Sequence, residues 1–192
     1  RNHIIDTAFH LVEKKPVSEI RIKDITSASG VSTGTFYHYF SSKEELFSQI
    51  ALEPTTNELL DIAEAAQKPL MERLEAYCRL RAGNAEQQGL PMTRNLQQFR
   101  MTELYREMRQ QMFGDSHFEA DILCKIFQDA VDSGELSGEF PIRFHAEMIL
   151  YTLYGLIFNS SLYDEPFVPS KWLPQFLVHL KDVALAPYWG NK

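Results

Sequence analysis

Apolar residues recur three and four positions apart through most of this chain, and no run alternates strictly between apolar and polar. The pattern therefore predicts helices throughout and no strands. Ile4, Ile5, Ala8, Phe9, Leu11 and Val12 give one face of a helix over 2–14, closed by Lys15-Pro16. Ile22, Ile25 and Thr26 mark a short helix that stops at Ser29, because Gly30 supplies the left-handed backbone that ends a helix. Ser32 then caps a helix starting at Thr33, in which Phe36 and Phe40, four apart, turn to one side. Ser41 and Ser42 precede Glu44 and Glu45 at capping-box spacing, so a fourth helix begins near Lys43. Glu53-Pro54 predicts a kink or break in its continuation, since proline lacks a backbone donor and clashes with the preceding turn.

Further along, amphipathic helices are predicted over 69–87, with Leu70, Leu74, Tyr77, Cys78 and Arg81, and over 92–113, with Leu96, Phe99, Leu104, Tyr105, Met108 and Met112. Gly89-Leu90-Pro91 and Gly114-Asp115 punctuate them. Another helix over 118–133 ends at Gly134. Residues 141–162 are apolar on nearly every side and 171–186 moderately so, the two separated by 164–170 with Pro166 and Pro169. A helix apolar all round must be buried all round, either as a central core helix or, in a chain this small, with its own core on one side and a second subunit on the other. Gly155 in its middle costs about 1 kcal/mol relative to alanine and suits close approach of another backbone. The fold class expected is all-α, with about nine helices.

Opposite Phe36 and Phe40, the helix from Thr33 carries Thr33, Thr35, Tyr37 and His38. These are small or hydrogen-bonding groups, suited to bringing a helix backbone near base edges and phosphates in a major groove. Two short helices around a glycine turn then read as a helix-turn-helix. The run Ile25-Thr26-Ser27-Ala28-Ser29-Gly30-Val31-Ser32-Thr33-Gly34-Thr35-Phe36-Tyr37-His38-Tyr39-Phe40, followed by Ser42-Lys43-Glu44-Glu45-Leu46, resembles the DNA-binding signature of the tetracycline-repressor-like (TetR/AcrR) transcription regulators. Its GVSxGTxYxxF core and S-K-E-E-L continuation carry the resemblance.

That resemblance implies a three-helix DNA-binding domain over 1–50 and an effector-binding and dimerisation domain over 51–192. It further implies a homodimer through a four-helix bundle, built here from the helices in 140–163 and 171–187, and a ligand-responsive regulator, most simply a repressor of a palindromic operator. Thr33, Thr35 and His38 are the candidate base contacts, with Gly34 admitting the backbone beside the Ser32 cap. Similarity to family positions puts Tyr37 and Lys43 on phosphates, and Arg21 and Lys23 flank them. The family usually has Ser or Thr as a cap where this chain has Arg21, which cannot cap a helix.

Composition changes the picture in two places. The chain has 192 residues, is 44% hydrophobic, enough for one good core or two modest ones, and has a formal charge of -7. Residues 1–50 hold six Lys/Arg and six Asp/Glu, so all the excess acid lies outside the reading head. A neutral head attracts DNA weakly, which favours two heads acting together on a repeated site. Cys78 and Cys124 are the only cysteines and no secretory signal is visible, so a reduced, cytoplasmic chain is expected, with both thiols as small buried hydrophobes. The most apolar stretch, 146–158, is well short of the ~20 residues a membrane span needs, and no membrane association is expected.

The remaining chemistry is less specific. Tyr77, Arg81, Phe99, Met101, Tyr105, Met108, Met112, Phe127, Tyr151, Tyr154 and Phe158 are candidates to line a pocket for a small apolar or aromatic effector, although such a stripe equally serves as core. Arg81 or His145 would anchor an acidic group, or satisfy a neighbouring carboxylate. No nucleophile context, phosphate loop or HExxH pair appears, so neither an enzyme nor a cofactor is expected. A metal site sketched from Asp115, His117, Glu119, Asp121 and Cys124 is weak beside the reading of an acidic helix start.

Overall fold

The computed structural model describes residues 1–52, 56–114, 117–162 and 168–190, with the side chains of 52, 112, 113, 169 and 170 outside the description. The fold is all-α: α1 (Asn2–Val12), α2 (Ile22–Ser29), α3 (Thr33–Tyr39), α4 (Lys43–Leu52), α5 (Thr56–Glu64), α6 (Leu70–Arg100), α7 (Glu103–Phe113), α8 (Phe118–Asp132), α9 (Ile142–Leu162) and α10 (Pro169–His179). A π-helical turn at Leu180–Ala184 follows α10. Among the described residues the nearest thing to a strand is an isolated antiparallel bridge between Leu136 and Trp189. The expected break at Glu53-Pro54 lies outside the described residues.

Two boundaries differ from the periodic pattern. The helices expected over 69–87 and 92–113 meet as α6, interrupted only at Gly89, whose φ of 73° and ψ of 169° are reachable without strain because it has no side chain. The second of them then stops short, because Thr102 adopts extended backbone and its hydroxyl accepts from the Tyr105 N–H at 3.2 Å, capping α7. A threonine inside a helical run gives no hint of which role it will take. α5 is an addition, since Leu59 and Ala63 are its only buried residues and too few to announce a helix.

The chain divides into two compact units, Arg1–Pro54 with Gln88–Asp115, and Thr55–Gln87 with Ser116–Lys192. The first unit is therefore larger than the expected 1–50 head. Its core joins Ile4, Ala8 and Val12 of α1, Ile25 of α2, Phe36 of α3 and Phe47 of α4 to Met92, Leu96 and Phe99 of α6. Asn95 donates to the Val12 carbonyl at 2.6 Å and Arg100 to that of Ala51 at 2.8 Å, satisfying carbonyls at two helix ends. Apolar area decides this boundary, at roughly 1.5–3 kcal/mol per large side chain buried.

In the second unit α5, α6, α8, α9 and α10 share a core that includes Leu59, Leu74, Tyr77, Phe127, Ile149, Leu153 and Leu173. Arg73 is 2% exposed, donates to the carbonyls of Ile62 and Ala63, and pairs with Asp129 at 2.8 Å. Burial pushes the Asp129 carboxyl up, yet hydrogen bonds from Lys125 and Arg73 hold it below its ordinary value. Glu135 closes the start of α6, both its oxygens accepting from the Leu70 N–H at 3.1 Å. The chain's charge divides with the units: ten Lys/Arg against ten Asp/Glu in the first, nine against sixteen in the second.

Candidate functional site

The reading head is assembled as the sequence predicts. Gly30 ends α2 with φ 67°, and its N–H and that of Val31 both return to the Thr26 carbonyl. Ser32 caps α3, accepting from the Thr35 N–H at 3.0 Å and contacting the Thr35 hydroxyl at 2.9 Å. Phe36 and Phe40 are buried with ring centroids 5.7 Å apart, so α3 is pinned from one side. Every other residue from Ser32 to Tyr39 is exposed, Tyr37 at 53%. The structure thus brings Ser32, Thr33, Gly34, Thr35, Tyr37 and His38 onto one protruding helix, with Arg21 and Lys23 exposed at the start of α2.

The Arg21 position is resolved by a neighbour. A guanidinium has no acceptor, so it cannot take a backbone N–H. Asp24 instead accepts from the Arg21 N–H at 3.0 Å and pairs with Lys15 at 2.7 Å. Chiefly through the Lys15 hydrogen bond, and then through that backbone bond, the Asp24 carboxyl is held below its ordinary value. Half of a capping box remains without a capping hydroxyl, and the signal for it was an acid three residues after Arg21. Ser42 accepts from the Glu45 N–H at 3.1 Å to start α4, and Glu45 reaches back to the N–H and hydroxyl of Ser41.

Lys43 departs from expectation. Its ammonium donates to the carbonyls of Val17 at 3.0 Å and Ile20 at 2.7 Å, and lies 3.5 Å from that of Ser18. A group turned inward onto three carbonyls fixes the turn before α2 and is not presented to a phosphate. Such a contact spans 23 to 26 residues, so no local motif announces it.

The candidate pocket residues divide between the two units. Phe99 and Tyr105 belong to the first unit's core, with rings 5.4 Å apart. Met108 accepts from the Ser48 hydroxyl at 3.2 Å in the same unit, and Met101 is exposed at the break before α7. Phe99 also borders a hollow of about 200 Å³ with Val17, Lys43, Asn95 and Leu104. The Met112 side chain lies outside the described residues. In the second unit Phe127 is core, packed on Phe140 at 4.9 Å. His145 has its Nδ1 3.2 Å from the Pro141 carbonyl and its ring stacked on Phe140 at 4.5 Å.

Tyr77, Arg81 and Tyr154 do come together, around Glu119, a residue for which the sequence gives no such signal because its partners lie on α6 and α9. Arg81 Nη2 lies 3.1 Å from Glu119 Oε2 and donates to Tyr154 Oη at 3.0 Å, while Tyr154 Oη donates to Glu119 Oε1 at 2.7 Å. The guanidinium also stands 5.4 Å from the centre of the Tyr154 ring. Tyr77, one helical turn before Arg81, is fully buried, and its hydroxyl has no hydrogen-bond partner among the described residues. Tyr151 and Phe158 are exposed on α9.

The thiols have different surroundings. Cys78 is buried and its pKa is pushed up to about 12 by desolvation, which makes it an inert core residue. Cys124 is half-buried, and burial raises its thiol as well. Asp121 pairs with Arg143 at 2.8 Å, and among the described residues no three metal-ligating side chains converge. Asp115 of the sketched metal set lies outside the described residues. No helix is long and apolar enough to cross a membrane among them either.

Comparison with known proteins extends the geometry. Residues 4–50, from α1 to α4, match the family described as bacterial regulatory proteins, tetR family. The chain is 22% identical over 176 residues to the fatty acid metabolism regulator protein of Bacillus subtilis, covering 85% of this chain and 84% of that one. Over 41 residues it is 44% identical to the HTH-type transcriptional regulator EthR of Mycobacterium tuberculosis, which covers 21% of this chain and 19% of that one. The crystal structure of the transcriptional regulator FadR from Bacillus subtilis in complex with stearoyl-CoA shares the fold, with a TM-score of 0.71 at 19% identity over 96% of this chain and 95% of that one. The match to the tetR family of bacterial regulatory proteins thus covers the head, α1 to α4, and over its whole length the chain shares the fold of the FadR structure.

Proposed function

We propose that the chain is a dimeric, effector-responsive repressor that reads a palindromic operator in the cytoplasm and leaves it when a small apolar or aromatic molecule binds the second unit. The observation behind this reading is α3, whose two buried rings leave a complete polar face in solvent. Thr33, Thr35 and His38 contact base edges, Gly34 lets the backbone approach, and Tyr37, Arg21 and Lys23 hold phosphates. Lys43 acts one step away, keeping the turn before α2 in position through the Val17 and Ile20 carbonyls.

Pairing uses α9 and the helix after it. Phe144, Met148, Tyr151, Phe158 and Leu162 leave an exposed stripe along α9, and α10 with the turn after it adds Val178 and Val183. Exposed apolar stripes of this kind mark an interface, and a second copy of this chain is the occupant that a neutral head favours. Two heads then engage half-sites about 34 Å apart or a multiple of it, so a small pivot misaligns one of them. A fold shared with a regulator solved with stearoyl-CoA supports an effector with an apolar body.

Selection of bound sequences from a random duplex library, followed by salt titration, tests the reading. The expected winner is palindromic and loses affinity steeply with salt. A selection that enriches nothing at low salt, from protein whose native mass shows no retained ligand, overturns it.

A further inference from the structure

The cluster on α6, α8 and α9 has its charges balanced but not its hydrogen bonds. Arg81 faces Glu119 directly, and Tyr154 donates to the other oxygen of the same carboxylate. Two buried atoms are left over. Tyr77 Oη is one, and Glu119 Oε2 is the other, within ion-pair distance of Arg81 yet out of hydrogen-bonding geometry with it. An unmet buried donor and acceptor are each costly, and these two are the unpartnered buried side-chain atoms among the described residues. Burial first, and the Glu119 carboxylate second, hold the Tyr77 phenol well above its ordinary value, so it remains a donor.

We propose that Tyr77 Oη and Glu119 Oε2 form the polar end of the effector site and select an uncharged hydroxyl or primary amide carried on an apolar body. Such a group accepts from the phenol and donates to the carboxylate at once. This proposal rests on the effector-responsive reading above. An anion is disfavoured because it reaches Arg81 only by displacing Glu119, which leaves a carboxylate without its counter-charge. A cation meets the guanidinium, and a wholly apolar molecule leaves both atoms unmet. Entry is from the Tyr154 side, since that ring is 38% exposed while Tyr77 is closed off.

Four probes on one tail decide between these chemistries: octanol, octanamide, octanoate and octylamine, each titrated into the full chain and read by thermal unfolding and by release of selected operator DNA. Octanol and octanamide are expected to bind about tenfold more tightly than octanoate or octylamine, the gain of about one well-made hydrogen bond. Tyr77→Phe removes that preference and leaves the melting temperature of the unliganded protein unchanged or higher, because a lone buried hydroxyl has gone. Glu119→Gln, which keeps volume but changes the acceptor, removes it too. Tightest binding by octanoate or octylamine, a preference that survives Tyr77→Phe, a lower melting temperature in that variant, or no binding by any probe would each overturn the proposal. Operator release driven best by octanoate removes only this inference and leaves the regulator standing. Failure of the library selection removes the regulator itself.

Discussion

Helices α3 and α9 are each pinned by one buried side and each leave the other in solvent, yet the two exposed faces have opposite chemistry. On α3 the free side is Thr33, Gly34, Thr35, Tyr37 and His38; on α9 it is Phe144, Met148, Tyr151, Phe158 and Leu162. A helix face that is polar and small-residued is suited to a partner that offers hydrogen-bonding edges and phosphates. A helix face that is aromatic and aliphatic is suited to a partner that offers the same surface back. The difference between the faces, more than the burial behind them, is what matches each helix to the partner proposed for it. Charge agrees with this, because the acid excess lies wholly in the unit that carries α9.

The comparison is broken most severely from the buried side. Phe36→Ala removes the fully buried ring under α3, and chemical denaturation should show a loss of about 3–5 kcal/mol in the first unit together with loss of operator binding. Tyr151→Ala, at 57% exposure on α9, should leave subunit stability within about 0.5 kcal/mol. Equal losses from the two would mean that α9 is not a free face. Tyr151→Asp goes further by placing a charge in the proposed interface. Sedimentation should show the dimer weakened by about 2 kcal/mol or more, with cooperative operator binding lost in proportion. A dimer that tolerates this change pairs elsewhere.

Much of this was legible in the chain, for identifiable reasons. Local devices read well: Gly30 as a helix end, Ser32 as a cap and Phe36 with Phe40 as the buried side all act within four residues of themselves. The exposed stripe of α9 follows from a helix apolar on more sides than one core covers. Contacts that join distant segments did not read. Lys43 has the identity and the position of a phosphate ligand, and only the fold shows its ammonium on the carbonyls of Val17 and Ile20. Phe99 and Tyr105 have the composition of pocket residues, but composition does not say which of two units will claim them. Glu119 is an acid in the first turn of α8, where dipole stabilisation alone accounts for it, until α6 and α9 bring Arg81 and Tyr154 to it.

The comparison is sharpened on the polar side by two substitutions of intermediate effect. His38→Ala, at an exposed position in the last turn of α3, should cost about 1–3 kcal/mol at particular operator positions and relax preference there. Lys23→Ala should weaken all duplexes alike and reduce the salt slope by about one. Competition binding on point-mutated operators separates the two patterns. A uniform loss from His38→Ala would move it from the bases to the phosphate backbone.

The smallest effect is the most discriminating, because it is expected to change sign between two measurements. Gly155 stands mid-helix in α9 among exposed residues, and a Cβ built there meets nothing within 4 Å in its own subunit. Nothing inside the chain therefore requires a glycine. Gly155→Ala should stabilise the isolated subunit by about 1 kcal/mol, the helix-propensity difference, as measured by denaturation at concentrations below dimer formation. The same methyl group, placed where a partner backbone approaches, should weaken association by a similar amount in a dilution series. Gains in both measurements would mean that the partner keeps its distance at this point and that the aromatic side chains to either side of Gly155 make the contact alone.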